Sequence, residues 1–182
     1  MEILLSDIFD PRAIALSLES PSKEAAFAEL TGALAALRPG LDAAEALAAI
    51  VERENKMSTG IAPGVAVPHA FCKWPGSAIA GSAAGSSGTG DGSASTGNAS
   101  TGSASAAGII GAIGISRKGI EYDALDGKPV HAVFLLLISE KARGSHLHAL
   151  NQICALAQSE ALARIRSAKE PQDVMDILSR FH

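Results

Sequence analysis

The sequence predicts an α/β domain, in which one mixed β-sheet is flanked by helices and a long Gly/Ser/Ala insertion interrupts the chain. Three observations predict it. Val130–Ser139 is a nearly unbroken apolar run, as expected of a strand buried on both faces. Helix-start signals and helical spacing recur both before and after that run. Between Gly76 and Gly108 lie 33 residues, of which nine are Gly, nine Ser, nine Ala and three Thr. Such a segment buries too little apolar surface to offset the entropy of ordering it.

Taken in order, Ser20-Pro21 reads as an N-cap and first helical residue, and Ala25–Leu37 carries that helix to Pro39-Gly40. Asp42 with Glu45 three residues on resembles a capping box and opens a helix from Ala43 to about Glu54. The Gly/Pro-rich stretch Thr59–Gly64 then turns the chain into Val65-Ala66-Val67, the one firm strand candidate before the insertion. After the insertion, Ile109–Ile115 and Val130–Ser139 read as strands. Two or three helices follow, His146 to about Gln158, Glu160–Ala168 and Pro171–Phe181. Leu147, Leu150, Cys154 and Ala157 repeat at helical spacing and are expected to face the core.

A chain of 182 residues fits one domain, here 1–182 interrupted at 76–108. Flexible loops lengthen at little cost, about 0.6 kcal/mol per doubling, so one fold can carry the insertion. The net charge of −4 and the lack of a basic stripe argue against nucleic-acid binding. Cys72 and Cys154 belong to no CxxC or zinc spacing and read as small buried apolar residues of a reducing compartment. The opening MEILLSDIFDPR has no basic region of a signal peptide, and Val130–Ile138 is too short to span a bilayer. A cytoplasmic protein without membrane insertion is expected.

Of five histidines, two sit where chemistry is expected, His69 and His146. His69 follows Val65-Ala66-Val67-Pro68 and is expected to leave a strand end where the chain becomes irregular, the usual place for a crevice in an open sheet. Pro68 fixes a torsion there and restricts Val67. His148 reads as a surface residue, His131 as a satisfied histidine of a buried strand, and Asp126 as part of an Asp-Gly turn. The Gly-rich segment contains no GxxxxGK[ST] or GxGxxG, so neither a nucleotide nor another cofactor is called for. No metal-ligand spacing is present either.

The run Glu52-Arg53-Glu54-Asn55-Lys56-Met57-Ser58-Thr59-Gly60, continuing to Pro68-His69, resembles the active-site signature of a known family. It is that of the enzyme IIA proteins of the fructose, mannitol and nitrogen-regulatory type, from the phosphoenolpyruvate-dependent phosphotransferase system. Gly119–Val130 is similar to the segment leading into that family's central strand, and His146-Leu147-His148-Ala149-Leu150 to its His-Leu-x-x-Leu helix opening. Leu5–Phe9 and Ser22-Lys23-Glu24 match as well, so the resemblance covers the chain except 76–108. Residue by residue it implies that His69 is the phosphorylated nucleophile, with His146 as second active-site histidine and Arg53 as the arginine. The implied donor is the histidine-phosphorylated carrier HPr, or its nitrogen-branch paralogue, and ATP is not used. The implied acceptor is a IIB component, or else regulated proteins read the phosphorylated state.

These residue types suit the chemistry. Phosphoryl transfer passes through a loose transition state, so positioning and cations contribute most. A neutral imidazole is a competent nucleophile near pH 7. Arg53 offers a planar cationic fork, His146 a hydrogen bond, and Ser58, Thr59 and the Gly60 N–H further candidate donors for phosphate. Relatives often carry Gly-Asn-Gly where this chain has Ala62-Pro63-Gly64, and Gly after the histidine where it has Ala70-Phe71. The insertion starts close behind His69 and spans roughly 30 Å as a coil, enough to moderate partner access.

Two functions follow from the resemblance, a regulator of the nitrogen branch and a sugar-specific component feeding a permease. The Asp-Gly-Lys-Pro-Val stretch, the stand-alone length and the lack of a fused transport component lean towards the regulator. A binding module that has lost transfer is a third class, against which the intact His69, His146 and Arg53 weigh.

Overall fold

The computed structural model describes residues 4–20, 22–61, 64–74 and 108–181. Nearly all of the Gly/Ser/Ala segment (76–107) lies outside the described residues, as do Pro21, Ala62 and Pro63.

The chain begins with the short helix α1 (Leu5–Ile8) and strand β1 (Phe9–Ala15), then helices α2 (Lys23–Leu37) and α3 (Ala43–Lys56). Three short strands follow, β2 (Gly60–Ile61), β3 (Val65–Ala66) and β4 (His69–Cys72). Beyond the insertion come β5 (Ile109–Ile120), β6 (Val130–Ser139), a 3-10 turn at Glu140–Ala142, and helices α4 (His146–Ala157), α5 (Glu160–Arg166) and α6 (Pro171–Ser179). The sheet order is β1-β5-β6-β3-β2, with β4 also on β6. It is mixed. β1 runs parallel to β5, β5 antiparallel to β6, and β3 and β4 parallel to β6.

Strand β6 is central because its residues are apolar at both parities. Ala132, Phe134, Leu136 and Ile138 pack with α1, α4, α5 and α6. Val133, Leu135 and Leu137 pack with α2 and α3. Successive side chains of a strand point to opposite faces, so one run of sequence supplies two cores. Phe134 meets Phe9 edge-to-face on the first side, and on the second Tyr122 meets Phe27 in the same way.

Several expectations need correction. The N-cap of α2 is Ser22, whose side chain accepts the Ala25 N–H, and Ser20 instead donates its hydroxyl to Glu29. Val65–Val67 is not the sole strand before the insertion. β1 carries Asp10-Pro11-Arg12, which hid it, and it tolerates the proline because it lies on the sheet edge with a register shift inside it. In α4 the buried face is Ala149, Ile153, Leu156 and Ala157, and Leu147 is 60% exposed. Cys154 is half-buried, while burial pushes the Cys72 thiol up to about 11. Asp42 caps α3 as expected, accepting the Ala44 and Glu45 N–H groups.

Phe71 and Ile109 pair with Ile138 from opposite sides. The chain therefore leaves and rejoins the sheet on the two strands beside β6, about two strand spacings or ~10 Å apart.

Candidate active site at the sheet edge

His69 does not leave a strand. It begins β4, which pairs His69 with Leu136 in the same register that β3 sets by pairing Val65 with Ala132. Val65–Cys72 is thus one line of chain along β6, broken where Pro68 has no N–H to give, although its carbonyl still accepts from Leu136. Ala70 and Cys72 point into the core beneath α3, while His69 and Phe71 point to the face that carries α4 and are half-buried.

The His69 Nδ1 lies 2.9 Å from the Val67 carbonyl oxygen. A carbonyl only accepts, so Nδ1 carries the proton and donates it. Nε2 is then left with its lone pair. Burial lowers the pKa of His69, an effect the Val67 carbonyl and Glu54 oppose and the charges of Arg53 and His146 reinforce. The imidazole is held neutral at physiological pH with one defined nitrogen basic. Arg53 and His146 thus lie close enough for their charges to be felt at His69, although they come from the end of α3 and the start of α4.

Arg53 is anchored by Nη1 donating to the Met57 carbonyl at 3.0 Å, which ties it across the helix end. His146 Nδ1 donates to the Arg143 carbonyl at 2.6 Å, so its Nε2 is also the open nitrogen. Two imidazoles with matching proton placement and one guanidinium are the groups this sheet edge gathers. The open His69 nitrogen can attack an electrophilic phosphorus, and the guanidinium can offset charge on its oxygens.

The other candidate donors divide. Thr59 is 7% exposed, and its N–H and hydroxyl both go to the Glu54 carboxyl, with the Tyr122 hydroxyl 3.1 Å from the Thr59 oxygen. Burial pushes the Tyr122 pKa up, so that hydroxyl keeps its proton. This buried chain locks the turn after α3 and leaves Thr59 nothing to offer a ligand. Gly60 donates its N–H to the Ser58 hydroxyl at 3.3 Å. A Cβ at Gly60 would come within 2.7 Å of the Ala124 side chain, so glycine is there to let the segment around Ala124 pack on β2. Of the three, Ser58 alone is half-buried with a hydroxyl proton uncommitted.

Sequence reasoning missed Phe71 and Arg143. The Phe71 ring meets His146 and carries the Arg143 guanidinium on its face. Their only sequence signal is that Phe71 shares the parity of His69. Among the described residues no group of three or more His, Cys, Asp or Glu side chains is placed to hold a metal ion, and no helix is long and apolar enough to cross a membrane.

An open mixed α/β sheet with a neutral histidine at its edge defines the class. The sequence model of the family described as "Phosphoenolpyruvate-dependent sugar phosphotransferase system, EIIA 2" matches residues 7–85 and 104–181. The chain belongs to this family, whose members are phosphotransferase components that carry phosphohistidine. It is 27% identical to a nitrogen regulatory protein of Bradyrhizobium diazoefficiens, across 96% of this chain and 94% of that one. It is also 27% identical to the fructose-specific EIIABC component of Bacillus subtilis, across 97% of this chain but only 23% of that much longer protein. The crystal structure of the nitrogen regulatory protein IIA-Ntr from Neisseria meningitidis superposes with a TM-score of 0.71 at 26% identity, covering 96% of this chain and 98% of that one. IIA mannitol from Escherichia coli shares the fold, with a TM-score of 0.60 at 13% identity and coverage of 93% and 97%.

Proposed function

We propose that the protein accepts a phosphoryl group on Nε2 of His69 and passes it on or displays it as a signal. The observation that carries this is the His69 Nδ1–H bond to the Val67 carbonyl, which leaves Nε2 as the one basic nitrogen of a neutral ring. The donor is a histidine-phosphorylated carrier protein, HPr or a paralogue. In the transfer step the phosphorus–nitrogen bond of the donor breaks as a bond to His69 Nε2 forms, and the proton on Nδ1 stays in place. Arg53 offsets charge on the equatorial oxygens, Ser58 is a further donor, and His146, its Nδ1–H held by the Arg143 carbonyl, donates from Nε2 when that nitrogen also carries a proton. The domain is one unit, 1–182, with 76–108 as an insertion. The near approach of the two flanking strands and the two-part family match support that arrangement.

Within the family, we favour a nitrogen-regulatory role in which the phosphorylation state governs binding to other proteins. The like-sized relatives named nitrogen regulatory protein support it. The second reading is a sugar-specific component that hands phosphate to a IIB partner. The fructose-specific relative favours it, and a solved IIA–IIB mannitol complex shares the fold. Incubation with phosphoenolpyruvate, the general phosphotransferase enzyme and its carrier tests the transfer, read as acid-labile phosphate by intact mass. Phosphate on the native protein and none on His69→Ala is the expected result. No phosphate on either overturns the proposal.

A further inference from the structure

Phe71 leaves the same face of β4 as His69, two residues further along. Its ring meets the His146 imidazole edge-to-face, with centroids 5.2 Å apart and planes at 79°. The Arg143 guanidinium lies over the same ring, 4.5 Å from its centroid. Glu140 holds that guanidinium in two bonds, Nε to Oε2 at 3.1 Å and Nη2 to Oε1 at 2.9 Å. The carbonyl of Arg143, in turn, accepts the His146 Nδ1–H.

These contacts form a loop of cause. The ring that touches His146 also seats the residue whose carbonyl decides which His146 nitrogen bears the proton. The Arg143 carbonyl is the sole hydrogen bond that His146 makes among the described residues through its ring. Rotation of the imidazole about its side-chain bonds is opposed by that bond and by the Phe71 edge contact. Phe71 itself sits on a strand in register with the central β6, so it is a rigid reference point.

We propose that Phe71 is a positioning residue for phosphoryl transfer, holding the His146 ring with its Nδ1–H on the Arg143 carbonyl so that Nε2, when it carries a proton, donates to the oxygens of the group on His69. Arg143, clamped by Glu140, completes the holder and is not itself a phosphate ligand. The proposal rests on the reading of His69 and His146 given above. A nucleophile and the part that aims its assistant then share one short strand. Relative movement between β4 and α4 is taken up by the aromatic contact instead of by the reacting geometry.

The test compares Phe71→Leu and Phe71→Tyr with the native full chain by two readouts. Long-range nitrogen–proton NMR of His146 reports its tautomer, and the carrier-dependent rate of phosphorylation is measured at saturating and limiting carrier. In Phe71→Leu, His146 is expected to shift towards a mixed tautomer, and the saturated rate to fall roughly tenfold with the half-saturating carrier concentration unchanged. Phe71→Tyr is expected to restore both. Glu140→Gln, a surface change that keeps the core intact, is expected to move both readouts in the same direction by a smaller factor. Native tautomer and native rate in folded Phe71→Leu would overturn the proposal, as would a change confined to the half-saturating concentration. If the native protein takes up no phosphate, the functional reading fails, and the His146 spectrum alone still decides whether Phe71 positions it.

Discussion

Two histidines of this sheet make the same bond and have different surroundings. His69, on the edge strand β4, donates from Nδ1 to the carbonyl of Val67 at 2.9 Å. His131, on the central strand β6, donates from Nδ1 to the carbonyl of Ser116 at 3.0 Å. Both are half-buried, and in both rings the carbonyl partner places a proton on Nδ1. The difference lies in what else surrounds the ring. At His69 the surroundings bring up Arg53 and His146. At His131 the chain closes over the ring, so that a Cβ on Gly119 would come within 3.0 Å of Cε1 and 3.3 Å of Nε2. A backbone-bound imidazole therefore serves packing in one place and suits chemistry in another, and the groups around the ring decide between them.

The largest effect expected from this contrast is at His69 itself. His69→Ala should take up no phosphate, whereas His131→Gln should be phosphorylated within about twofold of the native rate, both scored by intact mass. Phosphate on His69→Ala, or its loss in a folded His131→Gln, would reverse the assignment of the two rings. Next, Arg53→Gln should slow phosphorylation by roughly a hundredfold, as loss of one preorganised donor does. Its unfolding midpoint in urea should stay near native, since the side chain is partly solvated and outside the core.

At the His131 end the expected effect is on stability alone. Gly119 has φ +85°, and a Cβ there would also press on the Pro129 side chain at 2.7 Å. Gly119→Ala should cost about 1–3 kcal/mol in denaturant unfolding and leave the transfer rate of the folded fraction unchanged. Thr59→Val, which removes the hydroxyl donated to the buried Glu54 carboxyl, should cost a similar 1–3 kcal/mol, about the penalty for an orphaned polar group.

The smallest effect is the pH dependence. His69 titrates below the 6.5 of an ordinary imidazole, chiefly because it is buried. Above 6.5 the ring is neutral both folded and unfolded. As the pH falls from there towards the folded value, the unfolded chain takes up a proton that the folded one refuses, so stability declines. Below the folded value that decline stops. Urea titrations between pH 7 and 5 should show a shallow loss of stability that is reduced in His69→Gln. The acid limb of the phosphorylation rate should correspondingly have its midpoint below 6.5. An acid limb above 6.5 would contradict a buried neutral ring.

How far the sequence anticipates this molecule depends on whether the deciding interaction is local. β6 is legible because unbroken apolar sequence has few homes other than a doubly covered strand, and Asp42 is legible because a helix cap is a contact across three residues. β1 is hidden by Asp10-Pro11-Arg12, which reads as a turn unless the strand is known to lie at an edge. β4 is hidden because Pro68 looks like an exit, and only pairing with Leu136–Ser139 shows that the strand resumes. The face of α4 is misjudged because Leu147 is apolar yet exposed, while the small Ala149 is buried. His69, His146 and Arg53 are proposed from motif order. The use of Thr59 by Glu54, and of Phe71 by His146 and Arg143, depends on tertiary contacts that no spacing encodes.

The most direct test is to phosphorylate nitrogen-15 histidine-labelled protein through the carrier and ask by long-range nitrogen–proton and phosphorus NMR which nitrogen holds the group. A single phosphoramidate on Nε2 of His69, with the proton still on Nδ1, is the predicted result. Phosphate on Nδ1, or on another histidine, would contradict it.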